Sequence, residues 1–384
     1  MLGNQKGFST AVVLFAVVTL LSPASSFFLP RVSRTDDAVV IDFTGVGYAP
    51  SYHSKTLYDE ITSPAFVPVP SVYPYPMMYR QQEQEQEPNG WSYSFSHPIT
   101  DSANRQGGGA VAIAPAAAAT TTTTQCGKGP NALPARSSID QRIVGGSTPT
   151  SANSWMYLVT LKMDGAAAGV YFCSGTLISD TKVLSAASCL ENLSVFKMSQ
   201  VTVSIGLRAV TGVPPPPNVQ MTRRIGKVAI HSNYNALKFA NNIAIITLEY
   251  PVVLSNFLVP VCLPAASTDQ DQYVDQSAVI IGWGAADSAT PSTVLKQGTV
   301  TVSSNADCNA DANFGPFVSE ANMCIASTDK FVCAGDIGGP VLVLSSPGIW
   351  TQIGINSYAS GDCESNSLQT RVSAFKAWID LYKN

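Results

Sequence analysis

From about residue 140 onward, short apolar runs are interrupted every few positions by Gly, Pro, Asn or Ser. Tyr157 to Lys162, Thr181 to Leu184, Gln200 to Ile205, Lys227 to Ile230 and Ile243 to Leu248 are rich in Val, Ile, Leu and Tyr, the residue types that suit a pleated, half-buried surface. A second set follows at Ser277 to Gly282, Gly298 to Ser303, Val341 to Leu344 and Trp350 to Ser357. Two such sets predict two packed β-barrels. The period changes only at the end, where Val372, Phe375, Trp378, Ile379 and Tyr382 recur at helical spacing. That spacing predicts a C-terminal helix docking its apolar face.

The chain before residue 126 reads differently. Lys6 precedes an apolar run from Phe8 to Leu21 and then the small residues Ala24, Ser25 and Ser26, the pattern of a cleaved secretory signal peptide over 1–26. The run is short for a membrane span, and a signal anchor is the competing reading. In residues 27–125, Pro64 to Tyr79 is rich in Pro, Val and Tyr, Gln81 to Glu87 alternates Gln with Glu, and Gly107 to Thr124 is Gly, then Ala, then a Thr run. Such composition predicts a disordered, linker-like extension. The Tyr-Pro dipeptides around Tyr73 and Tyr75 offer a sharper reading, as an extended segment that docks a partner or a matrix.

Composition narrows the classes further. A net charge of -4 with 12 % charged residues supplies no basic field for nucleic acid and no polybasic membrane patch. Eight cysteines against three histidines, His53, His97 and His231, do not take zinc-site spacing. In a secreted chain an even cysteine count points to disulfides. No metal or cofactor is expected. Asn192-Leu193-Ser194 is an N-glycosylation sequon.

Five segments carry the chemistry: Arg142-Ile143-Val144-Gly145-Gly146, Val183-Leu184-Ser185-Ala186-Ala187-Ser188-Cys189, Asn241-Asn242-Ile243-Ala244-Ile245-Ile246-Thr247-Leu248, Gly282-Trp283-Gly284 and Ala334-Gly335-Asp336-Ile337-Gly338-Gly339-Pro340. In this order they resemble the trypsin-like serine proteases, well over 140–384 and weakly back to Cys126. The resemblance implies an all-β fold of two antiparallel six-stranded Greek-key barrels with a C-terminal helix, a protease-like domain at 143–384 and a pro-segment at 126–142. It also implies the disulfides Cys173–Cys189, Cys308–Cys324, Cys333–Cys363 and Cys126–Cys262, the last tethering the pro-segment to the barrels.

The same resemblance exposes three departures. Catalysis in this family needs a hydroxyl nucleophile, an imidazole base and a carboxylate that orients the imidazole. Ile337 stands at the nucleophile position, Ser188 at the base and Asn242 at the carboxylate. All three roles are lost. The backbone amides of Gly335 and Ile337 would still form the oxyanion site, with nothing to stabilise. Phe331 takes the place of the acidic residue that selects Lys or Arg, and Tyr358-Ala359 replaces the usual Trp-Gly of the pocket wall. Ser367 falls near a position usually held by glycine. His231 reads as a structural or exposed residue, and Pro214 to Pro217 as a stiff surface loop.

The activation switch is retained. Cleavage after Arg142 would free the ammonium of Ile143 to pair with Asp336, ordering the neighbouring loops. The expectation is a secreted pseudoprotease acting by protein binding, whose partner is an extracellular protein such as a protease or proenzyme of a cascade of the innate-immune or melanisation type. An extracellular matrix or coat adhesion protein is the alternative, and a residual serine endopeptidase a third reading.

Overall fold

The computed structural model describes residues 30–44, 126–134, 146–149, 151, 153–166, 171–207, 220–285, 294–327, 331–360, 363 and 365–383. The signal segment, most of the extension, Arg142, Ile143 and the four-proline loop lie outside these residues. In chain order the strands are β1 (Arg31–Arg34), β2 (Ala38–Asp42), β3 (Leu158–Met163), β4 (Cys173–Leu177), β5 (Lys182–Ser185), β6 (Val201–Ile205), β7 (Met221–His231) and β8 (Ala244–Leu248). They continue with β9 (Ser277–Gly282), β10 (Lys296–Ser303), β11 (Asn322–Ala326), β12 (Pro340–Ser346), β13 (Ile349–Tyr358) and β14 (Ser367–Arg371). Three short α-helices, α1 (Val195–Ser199), α2 (Asn305–Cys308) and α3 (Lys376–Lys383), complete the described elements.

Strands β3 to β8 form the first barrel in the order β7-β6-β3-β4-β5-β8, and a β7–β8 pairing closes it. Strands β9 to β14 close the second in the order β10-β11-β14-β13-β12-β9. All pairings are antiparallel. The fully buried Val183, Leu184, Val203, Ile205, Val228 and Ile246 fill the first barrel, and Ala278, Ile280, Val341 and Ile353 fill the second. Each large aliphatic side chain removed from water in this way contributes about 1.5–3 kcal/mol. The four disulfides pair as the resemblance implied. Beside the first of them, Gly127 exchanges backbone bonds with Pro260 and Trp350, and Trp350 Nε1 donates to Pro130 O at 2.8 Å.

Three barrel strands had no clear signature, because their side chains are polar or small. Strand β14 is Ser367-Leu368-Gln369-Thr370-Arg371, buried throughout. Gln369 Nε2 donates to Ser367 Oγ at 2.7 Å, and the Arg371 guanidinium donates to the carbonyls of Ser267, Asp269 and Glu320. Buried polar groups satisfied in this way cost little, whereas Gln369 Oε1 has no hydrogen-bond partner among the described residues. Strands β4 and β11, Cys173-Ser174-Gly175-Thr176-Leu177 and Asn322-Met323-Cys324-Ile325-Ala326, are likewise tied by cysteines rather than marked by long apolar runs.

One segment departs from the composition reading. Within the span read as a linker, β1 and β2 form an antiparallel hairpin, and β2 pairs with β7 from Ala38 opposite His231 to Asp42 opposite Lys227. Ala38 and Ile41 are buried in the first-barrel core. An isolated two-stranded hairpin is marginal in water. The five-residue run Ala38 to Asp42 acquires its meaning only from the partner strand, which lies far away in sequence.

Candidate functional site

Ser188 sits in a single 3₁₀ turn, Ala187–Cys189, which follows β5 directly. Its neighbour Cys189 is bonded to Cys173 of β4, which fixes the turn against the barrel. Asn242 precedes β8 and is 2 % exposed. Its Oδ1 accepts from the Ser188 backbone amide at 2.9 Å. Its Nδ2 donates to Ser188 Oγ at 3.1 Å, to Ser357 Oγ at 2.9 Å and to Ser357 O at 3.3 Å. The carbonyl of Asn242 accepts from Thr370 Oγ1 at 2.9 Å. Ser357 and Thr370 belong to β13 and β14 of the second barrel. One buried amide therefore joins the two barrels and satisfies both its ends.

Ile337 lies on the tight loop that leads into β12. Gly335 takes φ +94° and Gly338 φ +85°, a region open to glycine and strained for other residues. The loop is anchored by Ser174 N to Ile337 O at 2.8 Å, Gly338 N to Asn356 O at 2.8 Å and Ser174 Oγ to Gly335 O at 2.8 Å. The Ile337 side chain is half-buried and packs against both barrel cores. Among the described residues the backbone amides of Gly335 and Ile337 find no acceptor. Two amides of this kind suit an anion, but the side chain that Ile337 adds to this loop is a hydrocarbon.

Among the described residues neither serine of the cluster has an imidazole against it. His231, the one histidine among the described residues, ends β7, where its ring packs on Phe375 at 5.4 Å and on Trp378 at 5.5 Å. Burial lowers its pKa, and Asp37 opposes that. It is part of the packing of the C-terminal helix. A serine hydroxyl without a base is a weak nucleophile.

Around the loop the walls are apolar. Val332 and Ala359 are buried in the second-barrel core. Tyr358 lies 4.8 Å from the Phe239 ring and 5.9 Å from that of Phe314, and Phe239 meets Phe317 at 5.6 Å. The aromatic side chains pack on one another. Phe331 lines a shallow depression with Asp311, Asn313, Ser365 and Asn366, and a phenyl ring there offers no charge to a cation.

Asp336 is the strongest electrostatic feature. Its carboxylate is buried, accepting from Gly284 N at 2.7 Å and from Cys333 N at 3.2 Å. Burial raises its pKa to about 7, although the two amides pull it down. The Gly-Trp-Gly turn is built to admit it. A Cβ on Gly282 would stand 1.8 Å from Asp336 Oδ1, and one on Gly284 2.5 Å from its Cγ. Its expected partner Ile143, and Arg142 before it, lie outside the described residues.

The trypsin family model, described as Trypsin, matches residues 143–379. The chain belongs to the trypsin family. It is 36 % identical to brachyurin of Leptuca pugilator over 243 residues, 62 % of this chain and 96 % of the relative. It is 31 % identical to transmembrane protease serine 11G of Rattus norvegicus over 250 residues, 63 % of this chain and 56 % of the relative. With transmembrane protease serine 11B of Homo sapiens it shares 27 % over 244 residues, 62 % of this chain and 55 % of the relative. The chain thus spans nearly all of the first and about half of the other two.

In the trypsin-family domain the three residues singled out from the motifs are distributed as follows. Ser188 and Asn242 are in direct contact, and Ile337 adjoins them through Cys189, whose Sγ lies 3.6 Å from Ile337 O. Sequence reasoning missed Ser357 and Thr370, which complete the hydrogen bonds of Asn242. The one available signal was Ser357 immediately before Tyr358 in the pocket-wall motif. Asn192 is exposed just ahead of α1, and Ser194 caps that helix by accepting from Lys197 N. Among the described residues no group of His, Cys, Asp and Glu is placed to hold a metal ion, and no helix is long and apolar enough to cross a membrane.

Proposed function

We propose that this trypsin-family chain is a secreted protease homologue without proteolytic activity, which acts by binding another extracellular protein. The observation that carries the reading is the closed hydrogen-bond set Ser188–Asn242–Ser357 beside the Ile337 side chain. Every polar atom of the former relay is occupied by a neighbour, and the reacting position holds carbon. What such a domain retains is shape. Its self-packed aromatic wall and its switch residues Arg142, Ile143 and Asp336 suit a regulator or cofactor of an extracellular protease cascade, a role that rests on analogy with the family. In that role a cut after Arg142 reorders loops, and with them a binding surface, without creating catalysis.

Two measurements test this. The chain, cut after Arg142, is incubated with peptide amide substrates and with a fluorophosphonate probe, and the expected result is neither hydrolysis nor labelling. Turnover abolished by altering a cleft residue would overturn the reading and make the protein an endopeptidase. Affinity capture from native extracellular fluid with cut and uncut chain then tests the switch. A partner held only by the cut form supports a cascade role, whereas equal capture by both forms favours a constitutive matrix or coat protein.

A further inference from the structure

The N-terminal hairpin lies outside the trypsin-family match, yet it is bound to the first barrel by several independent kinds of contact. Strand β7 is longer than its barrel neighbour β6, which pairs only with residues 221–224. The remainder of that edge, Lys227 to His231, is covered by β2. Beyond the ladder, Phe43 N donates to Gly226 O at 2.9 Å, and Lys227 Nζ lies 3.2 Å from Asp42 Oδ2. The turn of the hairpin enters a notch between β7 and the C-terminal helix. There Asp37 O accepts from Ser232 N at 3.0 Å and from Trp378 Nε1 at 2.9 Å, and Thr35 Oγ1 lies 3.3 Å from the Tyr382 hydroxyl. Ala38 is wholly buried and Ile41 is 6 % exposed.

From these contacts we infer that the β7 edge and the Ser232–Trp378 notch form a binding site for an extended segment, occupied by the chain's own residues 31–43. The site holds the N-terminal extension on the barrels at a non-covalent point of its own, independent of the Cys126–Cys262 tether of the pro-segment. Strand addition supplies the affinity through main-chain hydrogen bonds, and the pockets that take Ala38 and Ile41 supply the selection. An uncovered edge of this length would be a template for pairing with other chains. Residues 45–125 are thereby attached at both ends to one domain, and a cut after Arg142 or within that span leaves the hairpin in place. A partner that recognises the extension is brought to the barrels with it.

Hydrogen–deuterium exchange of the full secreted chain, read by mass spectrometry and paired with its molar mass from light scattering, tests the assignment. The expected result is a monomer in which amides of residues 38–42 exchange about 100-fold or more slower than the unfolded rate, as do those of 227–231. In Ile41→Asp both peptides lose that protection while peptides of β9 to β14 keep theirs. If Ile41→Asp does not fold, Val40→Asp on the other face of β2 provides a milder disruption, and the wild-type result stands by itself. Exchange of 31–43 at the unfolded rate in the wild type would overturn the proposal. Protection accompanied by a dimeric mass would overturn the assignment of the occupant to the same chain.

Discussion

Asn242 donates its side-chain amide to Ser357 Oγ at 2.9 Å while its Oδ1 takes the Ser188 backbone amide at 2.9 Å. The first contact reaches the second barrel and the second stays in the first, so this buried side chain is a joint between them. Removing it deprives the part-buried Ser188 backbone N–H and the buried Ser357 hydroxyl of this partner, which costs about 1–3 kcal/mol for each group left unsatisfied. Asn242→Ala is therefore expected to lose about 2–4 kcal/mol by chemical denaturation. Asn242→Asp is the more telling variant. A carboxylate would turn an oxygen toward Ser357 O, where the amide now donates at 3.3 Å, with no imidazole to compensate. A loss of about 1 kcal/mol or more is expected, and a neutral or stabilising outcome would show that the donor role is not needed.

On the proposed non-catalytic reading, a single substitution does not supply catalysis. Ile337→Ser gives a hydroxyl between the Gly335 and Ile337 amides but leaves Ser188 where a base would be needed. No labelling by a fluorophosphonate is expected from that variant after cleavage at Arg142. The triple variant Ser188→His, Asn242→Asp, Ile337→Ser restores base and orienting group as well, and labelling is expected to appear there. Since Phe331 supplies no carboxylate, any turnover by the triple variant should not favour Lys or Arg substrates. Labelling of the single variant would mean that a base exists in the cleft that the present geometry does not reveal.

How far the sequence reveals the molecule depended on whether the meaning of a residue was local. Strand β9 was legible to the residue, because the continuous apolar run Ala278 to Ile281 lies between Ser277 and Gly282. Strand β14 was not, because Gln369, Thr370 and Arg371 are polar yet buried, Thr370 and Arg371 through hydrogen bonds to distant groups. The hairpin failed for the same reason, as Ala38 to Asp42 is a strand only against β7. At the candidate site, Ser188, Asn242 and Ile337 were found by motif. Their joining through Ser357 and Thr370 depends on the docking of two barrels, which no local pattern encodes. The aromatic closure by Phe239, Phe314 and Tyr358 is of the same non-local kind, since these residues meet only in the folded domain.

The junction between hairpin and barrel should respond to mild acid. Burial holds the His231 pKa below its ordinary value, with Asp37 opposing. A histidine with a folded pKa below its unfolded value contributes stability that is complete above the unfolded pKa of about 6.5. That contribution is lost as pH falls, because the unfolded chain binds the proton first. Asp336 gives the opposite trend in the same range, so the His231 term is read as a difference: from pH 7.5 to pH 5 the Tm of the wild type should fall relative to that of His231→Phe, which keeps a ring against Phe375 and Trp378. Identical slopes for the two proteins would mean that His231 contributes nothing to the pH dependence.

Asp336 yields the opposite pH dependence and a test of the proposed switch. Its folded pKa is raised to about 7 from 3.8 by burial. In the uncut chain, therefore, folding becomes less favourable as pH rises from about 4 toward 7, because the unfolded carboxyl ionises first, and the penalty is constant above that. At about 1.4 kcal/mol per pKa unit the full penalty is on the order of 4 kcal/mol. Cleavage after Arg142 would deliver the Ile143 ammonium as a counter-charge, relieving most of that cost at pH 7.5 and little of it at pH 5. Cut chain is expected to unfold several degrees higher than uncut chain at pH 7.5, with the gap narrowing at pH 5. In Asp336→Asn the gap should vanish at both values, since the amide carries no charge to pair. Gly282→Ala should also erase it, because its Cβ would occupy the place of Asp336 Oδ1. A gap of equal size at both pH values, or one that survives in Asp336→Asn, would mean that cleavage acts elsewhere and that Asp336 is kept only for the folding of its loop.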